Sequence, residues 1–272
     1  MPEGHTIHRA ARDQQPLFAG RQLAVSSPQG RFLEGAEHLD GQVCRNVEAL
    51  GKHLLYGFES GDTLHIHLGL YGKIRKQMQP MAEPKGAVRV RLEAVEYGVD
   101  INGPNTCKIL DPEGRAALFS RIGPDVLRSD ADPDRAYARI VQSRSPIGVL
   151  IMNQEIMAGI GNIYRTEILW RQGIHPDLPG TALTRDAFDA IWQDSCALLE
   201  IGVQKNAIIT VDGGRRSGKR YGEKVNIFNL ETCPKCEGPV RKFEMATRRA
   251  FVCDTCQQLN KKGSRSTGKA AV

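Results

Sequence analysis

Apolar and polar positions alternate along the first half of the chain mainly with the two-residue period of β-strands. One amphipathic helix precedes the strands, because apolar residues recur at helical spacing from Ile7 to Phe18 and Gly20 ends the pattern. Strand-like runs then cover residues 21–26, 43–59, 63–68, 73–78, 87–96 and 106–110. Short strands at this spacing, separated by turn sequences such as Gly103-Pro104-Asn105, predict an antiparallel sandwich or barrel.

The pattern changes to a helical period near Gly123-Pro124. Asp132-Pro133 predicts a helix start, residues 147–157 and 163–172 are further helical runs, and Thr184 is placed to cap a longer helix. Residues 212–224 are rich in glycine, arginine and lysine and predict a mobile basic loop. Residues from 261 onward predict a disordered basic tail.

Charge and length narrow the class of protein. At 272 residues the chain can form two domains of ordinary size and a small appendage. The net charge of +6 and the pI of about 9.0 favour an anionic partner, with nucleic acid ahead of a membrane surface. Apolar runs of membrane-spanning length and a signal-peptide pattern are both missing from the sequence. We therefore expect a cytoplasmic monomer without a membrane partner.

Four of the seven cysteines form two pairs with the spacing of zinc ligands, Cys233 with Cys236 and Cys253 with Cys256. Each thiolate pair can cover one face of a tetrahedral Zn²⁺, and the intervening length suits a β-hairpin. Disulfides are disfavoured in a reducing compartment. Because four cysteines leave no open coordination position, the spacing predicts one structural zinc ion. The basic residues between the pairs either grip phosphate or form a solvated face; they are Arg241, Lys242, Arg248 and Arg249.

The start of the chain carries a candidate nucleophile. If Met1 is removed, Pro2 presents a secondary amine, and the carboxylate of Glu3 follows directly. A secondary amine that attacks an aldehyde-like carbon forms an iminium, and an α-amino group titrates near pH ~8 whereas a lysine titrates near ~10.4. The carboxylate can transfer protons. On these residues alone, a frayed terminus with a helix-starting proline is the ordinary alternative.

Two further features are ambiguous on local grounds. The segment Gly159-Ile160-Gly161-Asn162 lies between helical runs, where backbone N–H groups and the Asn162 amide can bind a phosphate. A helix–helix turn that uses the conformational freedom of glycine explains it equally well. Lys52 interrupts an apolar strand, where an exposed lysine is the ordinary explanation.

Taken together, the chain resembles the bifunctional DNA glycosylases of the formamidopyrimidine-DNA glycosylase and endonuclease VIII type. The resemblance spans residues 1 to about 258 and ends with the cysteine quartet. The other segments that carry it are Met1-Pro-Glu-Gly4, Leu50-Gly-Lys-His53, Leu70-Tyr-Gly72, Arg121-Ile-Gly-Pro-Asp125 and residues 153–169.

The resemblance implies an α+β fold that matches the hydrophobic pattern. It places an N-terminal antiparallel β-sandwich with a leading helix at residues 1–124 and a helical helix–two-turn–helix domain at 125–229. A zinc-ribbon β-hairpin at 230–258 and a disordered basic tail at 259–272 follow. DNA would lie in the cleft between the two main domains.

The resemblance also implies a role for each candidate site residue. Pro2 would attack C1′ of the damaged nucleotide, and Glu3 would act as general acid and base. A phosphate-binding trio and two side chains that fill the vacated base stack would hold the DNA; they are Lys52, Asn162 and Arg248, and Leu70 and Tyr71. Arg248 is preferred because it lies five residues before Cys253, and Arg249 is the adjacent alternative.

Two positions depart from the family pattern. Thr6 stands where members commonly carry a second glutamate, and Gly69 contributes no side chain to the loop that enters the stack. The Met-Pro-Glu-Gly start and the pair Leu70-Tyr71 resemble the endonuclease VIII branch, which implies oxidised pyrimidines as substrates. His5 lies close to Pro2 in sequence and is a candidate DNA contact or a group that tunes local pKa values.

The sequence therefore predicts a DNA glycosylase and AP lyase of base excision repair. It would act on double-stranded DNA that contains oxidised bases or abasic sites, through a Schiff base on Pro2 and successive β- and δ-elimination. The alternative is a non-catalytic zinc-ribbon protein that recognises damaged or bent DNA. An RNA-binding module has only the basic charge and the ribbon in its favour.

Overall fold

The computed structural model describes residues 2–212 and 224–259. The predicted basic loop falls almost entirely on residues 213–223, and the predicted tail on residues 260–272, so both predictions lie outside the described residues. Within the described ranges, every helix is too short or too polar to cross a membrane.

The N-terminal half is a sandwich of two antiparallel sheets with a helix packed against it. Helix α1 (Gly4–Phe18) leads, as its apolar spacing predicts, and a short helix α2 (Leu33–Leu39) follows the first strands. One sheet has the order β1 (Arg21–Gln22), β3 (Val43–Leu50), β4 (His53–Phe58), β5 (Thr63–His67), β9 (Thr106–Leu110). The other has the order β2 (Ala24–Ser26), β7 (Val88–Glu93), β8 (Tyr97–Asn102), β6 (Lys73–Met78).

The core of the sandwich joins α1 to both sheets. Ile7 and Phe18 of the helix are fully buried and pack with Leu54 and Tyr56 of β4 and Val90 of β7. The adjacent Leu55 belongs to a separate apolar cluster with Leu118 and Ile122 of the following segment, so β4 is buried on both faces. The predicted antiparallel sandwich is confirmed.

The helical part follows the sandwich along the chain. Its helices are α3 (Pro112–Arg121), α4 (Pro133–Val141), α5 (Ile147–Leu150), α6 (Asn162–Arg171) and α7 (Arg185–Lys205). The predicted cap at Thr184 is confirmed, because its hydroxyl accepts a hydrogen bond from the N–H of Ala187. A second apolar core, which includes Tyr164, Phe188 and Leu199, holds these helices together.

Several elements differ from the sequence prediction, and the short helix α2 is one that was not predicted. Strand β8 was not predicted because Asp100 interrupts its apolar pattern; the carboxylate is buried and paired with Arg91 of β7 at 2.6 Å. Helix α3 was not predicted either. The predicted helix over 147–157 is helical only in α5, because the Asn153 side chain accepts the N–H of Glu155 and replaces helical hydrogen bonds with a turn.

A hairpin forms between the cysteine pairs, as predicted. Strands β10 (Arg241–Met245) and β11 (Arg248–Val252) are antiparallel, and Ala246 and Thr247 connect them with φ angles of 48° and 61°. Two consecutive positive φ values are typical of a type I′ hairpin turn. The base of the hairpin packs against Trp170 at the end of α6.

Helix α1 begins against the turn that precedes α6. The N–H of Gly4 donates to the carbonyl of Gly159 at 2.8 Å, and Gly159 has a φ of 95°. A Cβ atom on Gly4 would lie 2.6 Å from the Gly159 Cα, so only glycine permits this approach. The contact holds the first residues of the chain beside the N-terminus of α6.

Candidate active site

A cavity of about 370 Å³ lies where the sandwich, α6 and the hairpin meet. Its wall includes Pro2 from the start of the chain, Lys52 from the β3–β4 turn, Asn162 from α6 and Arg248 from β11. Four residues predicted from distant parts of the sequence are thus brought to one cavity. One secondary amine, one primary amine, an amide and a guanidinium face the same space.

Glu3 lies behind this cavity and is fully buried. Its two carboxylate oxygens accept hydrogen bonds from the N–H groups of Gly161 and Ile163, each at 3.0 Å. These N–H groups lie at the N-terminus of α6, where the helix dipole favours an anion. The sequence hypothesis placed a DNA phosphate on these N–H groups, whereas the structure places the Glu3 carboxylate there.

Gly161 has no side chain because Glu3 occupies that space. A Cβ atom on Gly161 would lie 2.5 Å from the carboxyl carbon of Glu3. In the Gly159-Ile160-Gly161 turn, glycine at 161 allows the close approach of the carboxylate, and glycine at 159 allows the positive φ of the backbone. Of the two alternatives left open by the sequence, the need for glycine geometry applies, whereas the N–H groups expected to bind a phosphate bind the Glu3 carboxylate.

Burial sets the acid–base properties of Glu3 and Lys52. It raises the pKa of Glu3, an effect that the nearby Lys52 charge and the N–H groups of α6 oppose. Burial also lowers the pKa of Lys52, which Glu3 opposes and Arg248 reinforces. Both shifts move the pKa toward neutral pH, which suits groups that transfer protons.

Lys52 and Asn162 both bond to the protein in this structure. The Lys52 ammonium donates to the carbonyl of Ile160 at 2.7 Å. The Asn162 amide donates to the carbonyl of Arg249 at 2.9 Å, and its oxygen accepts a hydrogen bond from the buried Arg165. Asn162 thus links the N-terminus of α6 to the hairpin.

The hairpin register separates the two adjacent arginines. Arg248 pairs with Met245 across the turn and lines the cavity with Pro2 and Lys52. The exposed Arg249 side chain lies outside the set of described residues that line this cavity. This placement supports the preference for Arg248.

The 68–72 loop presents two large apolar side chains to solvent. Leu70 is 47% exposed and borders the cavity, and Tyr71 is 85% exposed. Gly69 has a φ of 64°, and a Cβ there would lie 2.8 Å from the Asn105 Cβ. The absence of a side chain at position 69 therefore has a conformational reason. Such exposure suits residues that are buried only when a partner is present.

Thr6 lies beside a second cavity, of about 530 Å³, on the other side of Pro2. Pro2 borders both cavities, and Arg9, Lys73 and Arg75 line the second one. None of these three cationic residues was predicted as a site residue from the sequence. The sequence signal that could have indicated a basic surface is β6, because Lys73, Arg75 and Lys76 lie on this one short strand.

Asn105 and Gln154, which line the first cavity, were not predicted from the sequence, and neither was a place for His67 on its wall. His67 belongs to a group of three adjacent, mutually tilted rings, in which its centroid is 5.1 Å from His53 and that of His53 is 4.9 Å from His65. Burial lowers the pKa of His53 to about 3 and of His65 to about 4. Both are therefore neutral at neutral pH.

His5 is buried, and its ring packs edge-on against Tyr164 with centroids 5.4 Å apart. Burial lowers its pKa to about 4, so His5 adds no positive charge near Pro2 at neutral pH. The structure thus shows His5 as a packing group between α1 and α6, and the two predicted roles, a DNA contact or a group that tunes local pKa values, stay predictions.

The four predicted cysteine ligands converge. All four sulfur atoms lie within 4.8 Å of one another, with Cys233 and Cys256 3.8 Å apart and Cys236 and Cys253 3.4 Å apart. A tetrahedral zinc with Zn–S bonds of about 2.3 Å requires sulfur separations of about 3.8 Å, so the quartet can bind a metal ion. Across the described ranges, no other group of three or more metal-ligating residues is found.

Two family models match the chain. The N-terminal domain of formamidopyrimidine-DNA glycosylase matches residues 1–104, and the H2TH domain of formamidopyrimidine-DNA glycosylase matches residues 122–212. The fold and the site thus define a DNA-repair enzyme of the glycosylase class. The chain belongs to the family of formamidopyrimidine-DNA glycosylases and endonucleases 8, which are DNA glycosylases with AP lyase activity.

Relatives named endonuclease 8 and relatives named formamidopyrimidine-DNA glycosylase both align along nearly the whole chain. Endonuclease 8 1 of Mycobacterium tuberculosis is 42% identical over 267 residues, which are 94% of this chain and 100% of that protein. Endonuclease 8 of Pectobacterium carotovorum is 31% identical over 95% of this chain and 100% of that protein. Formamidopyrimidine-DNA glycosylase of Chloroflexus aurantiacus is 30% identical over 94% of this chain and 98% of that protein.

Solved structures confirm the fold. The formamidopyrimidine-DNA glycosylase of Lactococcus lactis, in complex with DNA containing an N7-benzyl-Fapy-dG, has a TM-score of 0.79. It is 19% identical, and the match covers 95% of this chain and 100% of that one. The same enzyme has been solved with DNA containing an abasic site.

Loss of a cysteine ligand should release the metal and loosen the hairpin. The indole N–H of Trp170 donates to the Cys233 sulfur at 3.4 Å, so Trp170 reports on this contact. For Cys256→Ser, we expect the metal content to fall well below about one zinc per chain and the tryptophan emission to change. Elemental analysis and fluorescence measure both effects.

Cys196→Ser is the matched control, because Cys196 lies on α7 away from the quartet. It should keep the full zinc content and the wild-type emission. A Cys256→Ser protein that keeps one tightly bound zinc would contradict the assignment of the four ligands.

Proposed function

We propose that this protein excises oxidised bases, pyrimidines above all, from double-stranded DNA through a Schiff base on Pro2. It then cuts the strand by β- and δ-elimination. The observation that carries the proposal is the single cavity in which Pro2, Lys52 and Arg248 meet beside the buried carboxylate of Glu3.

DNA binding is supported by the charge and shape of the site. Lys52, Asn162 and Arg248 offer an ammonium, an amide and a guanidinium, which suit the phosphates around an extruded nucleotide. Leu70 and Tyr71 are exposed on an adjacent loop, where insertion into the base stack would bury them. Extrusion costs the least free energy for a damaged or poorly paired base.

The chemical steps follow from the groups around the cavity. With Met1 removed, the Pro2 nitrogen attacks C1′, the glycosidic bond breaks, and the base departs with a proton that Glu3 supplies. The Pro2 N–H proton then passes to O4′ as the C1′–O4′ bond breaks, so the opened sugar is held to Pro2 as an iminium. Loss of a C2′ proton breaks the C3′–O bond and expels the 3′ phosphate. Loss of a C4′ proton then breaks the C5′–O bond and expels the 5′ phosphate, and water hydrolyses the remaining imine to free Pro2.

The substrate class is inferred from the relatives. The chain is 42% identical to Endonuclease 8 1 of Mycobacterium tuberculosis and 30% identical to the formamidopyrimidine-DNA glycosylase of Chloroflexus aurantiacus. The Leu70-Tyr71 pair and the Met-Pro-Glu-Gly start point to the same branch. We therefore propose oxidised pyrimidines as substrates, a structural zinc in the cysteine quartet, and a monomer that works in the cytoplasm.

Glu3→Gln should separate base excision from lyase chemistry. Because glutamine cannot supply the proton to the departing base, excision of an oxidised pyrimidine should slow by roughly 100- to 10,000-fold. Cleavage of a preformed abasic site should be affected much less, since no base departs. Single-turnover assays on duplexes of both kinds measure the two rates.

The pH dependence of the wild type gives an independent check. Burial raises the pKa of Glu3, so its protonated form persists above the ordinary carboxyl value of 4.5. The ratio of excision rate to abasic-site lyase rate should therefore fall as pH rises through that raised pKa. A ratio that does not change with pH would contradict the role of Glu3 as proton donor.

Blocking the N-terminus should abolish covalent chemistry. In a variant with an uncleaved N-terminal extension, the Pro2 nitrogen is an amide and cannot attack C1′. We expect no borohydride-trapped adduct from this variant, and trapping should return when a protease removes the extension up to Pro2.

Pro2→Gly still offers an amine and should keep partial trapping. A correctly processed protein that binds damaged duplex DNA in a salt-dependent manner but gives no adduct would favour the alternative, a non-catalytic protein that recognises damaged DNA.

A further inference from the structure

The side chain of Gln154 spans the glycine turn that holds Glu3. Its amide nitrogen donates to the carbonyls of Met152 and Ile160, both at 2.9 Å. Its amide oxygen accepts the N–H of Gly159 at 3.0 Å. The Gln154 side chain therefore makes three hydrogen bonds, all to the backbone of residues 152–160.

One of these acceptors is shared with the site. The carbonyl of Ile160 accepts a hydrogen bond from the Lys52 ammonium at 2.7 Å as well as from Gln154. A carbonyl oxygen has two lone pairs, so both bonds can exist together. Ile160 is fully buried, and water is therefore not at hand to replace a lost donor.

The shared carbonyl sets the position of the Lys52 ammonium. The ammonium has three N–H donors, so it can keep its bond to the Ile160 carbonyl and direct the other donors toward a phosphate in the cavity that it lines. Gln154 donates to the same carbonyl and so helps to hold the acceptor that orients Lys52. Without Gln154, the carbonyl would lose one of its two donors, and a less well placed Lys52 would reduce the affinity for DNA.

We propose that Gln154 is a positioning residue that holds the Ile160 carbonyl and the glycine turn in place, so that the Lys52 ammonium is directed at a DNA phosphate. The inference rests on the proposed phosphate-binding role of Lys52. Gln154 also borders the cavity, so a direct contact between Gln154 and DNA is the competing explanation.

A double-mutant cycle between Gln154 and Lys52 distinguishes the two explanations. The probe is a short duplex with a tetrahydrofuran abasic analogue, which binds but cannot form a Schiff base. We expect Gln154→Met to weaken binding about tenfold when Lys52 is present and less than about twofold in a Lys52→Met background.

A second variant guards against loss of folding. Gln154→Glu keeps an acceptor for the Gly159 N–H but cannot donate to Ile160. It should weaken binding as Gln154→Met does, while the trapping rate at saturating abasic DNA stays within about threefold of wild type, because Pro2 and Glu3 remain placed.

Gln15→Leu is the matched control, because its amide oxygen accepts one backbone hydrogen bond, from Val47, outside both cavities. It should leave the affinity for the probe within about twofold of wild type. If Lys52→Met alone leaves the affinity unchanged, the proposed role of Lys52 fails. If Lys52→Met weakens binding but the two substitutions are additive, the inference about Gln154 is overturned.

Discussion

The hydrogen bonds between the Glu3 carboxylate and the N-terminus of α6 hold the site together. They join the start of the chain to a helix more than a hundred residues away, and they require Gly161 because a side chain there would overlap Glu3. Pro2 is adjacent to Glu3, so the same contact places the candidate nucleophile in the cavity. The helix dipole stabilises the buried carboxylate, which compensates part of its desolvation.

Charge is concentrated around this contact and is largely shielded from water. Glu3 and Lys52 oppose each other's pKa shifts, and Arg248 adds a second cation on the cavity wall. The segment from Gln154 to Ile163 connects these groups. Its N–H groups at Gly161 and Ile163 donate to Glu3, and its carbonyl at Ile160 accepts from Lys52. Two cationic side chains on the wall of one cavity favour an anion in it, and a DNA phosphate provides one.

The sequence predicted the sandwich, the capped helices and the zinc-type hairpin because each has a local signature in apolar period, cap or cysteine spacing. It failed at β8, where Asp100 is buried against Arg91, because pairing across strands leaves no local signal. Pro2 and Lys52 were ambiguous on local grounds, and their roles, with that of Arg248, were predicted only through resemblance. Asn105 and Gln154 were missed because side chains that line a cavity through tertiary contacts have no periodicity to detect.

The proposed chemistry requires that Pro2, and not the other amine in the cavity, forms the Schiff base. Lys52 is a genuine competitor, because burial lowers its pKa and it borders the same space. Borohydride trapping on an abasic duplex, followed by proteolysis and mass spectrometry, identifies the modified amine. The account predicts the sugar adduct on the N-terminal peptide that starts at Pro2, with Met1 absent. An adduct on the peptide that contains Lys52, with Pro2 unmodified, would contradict it.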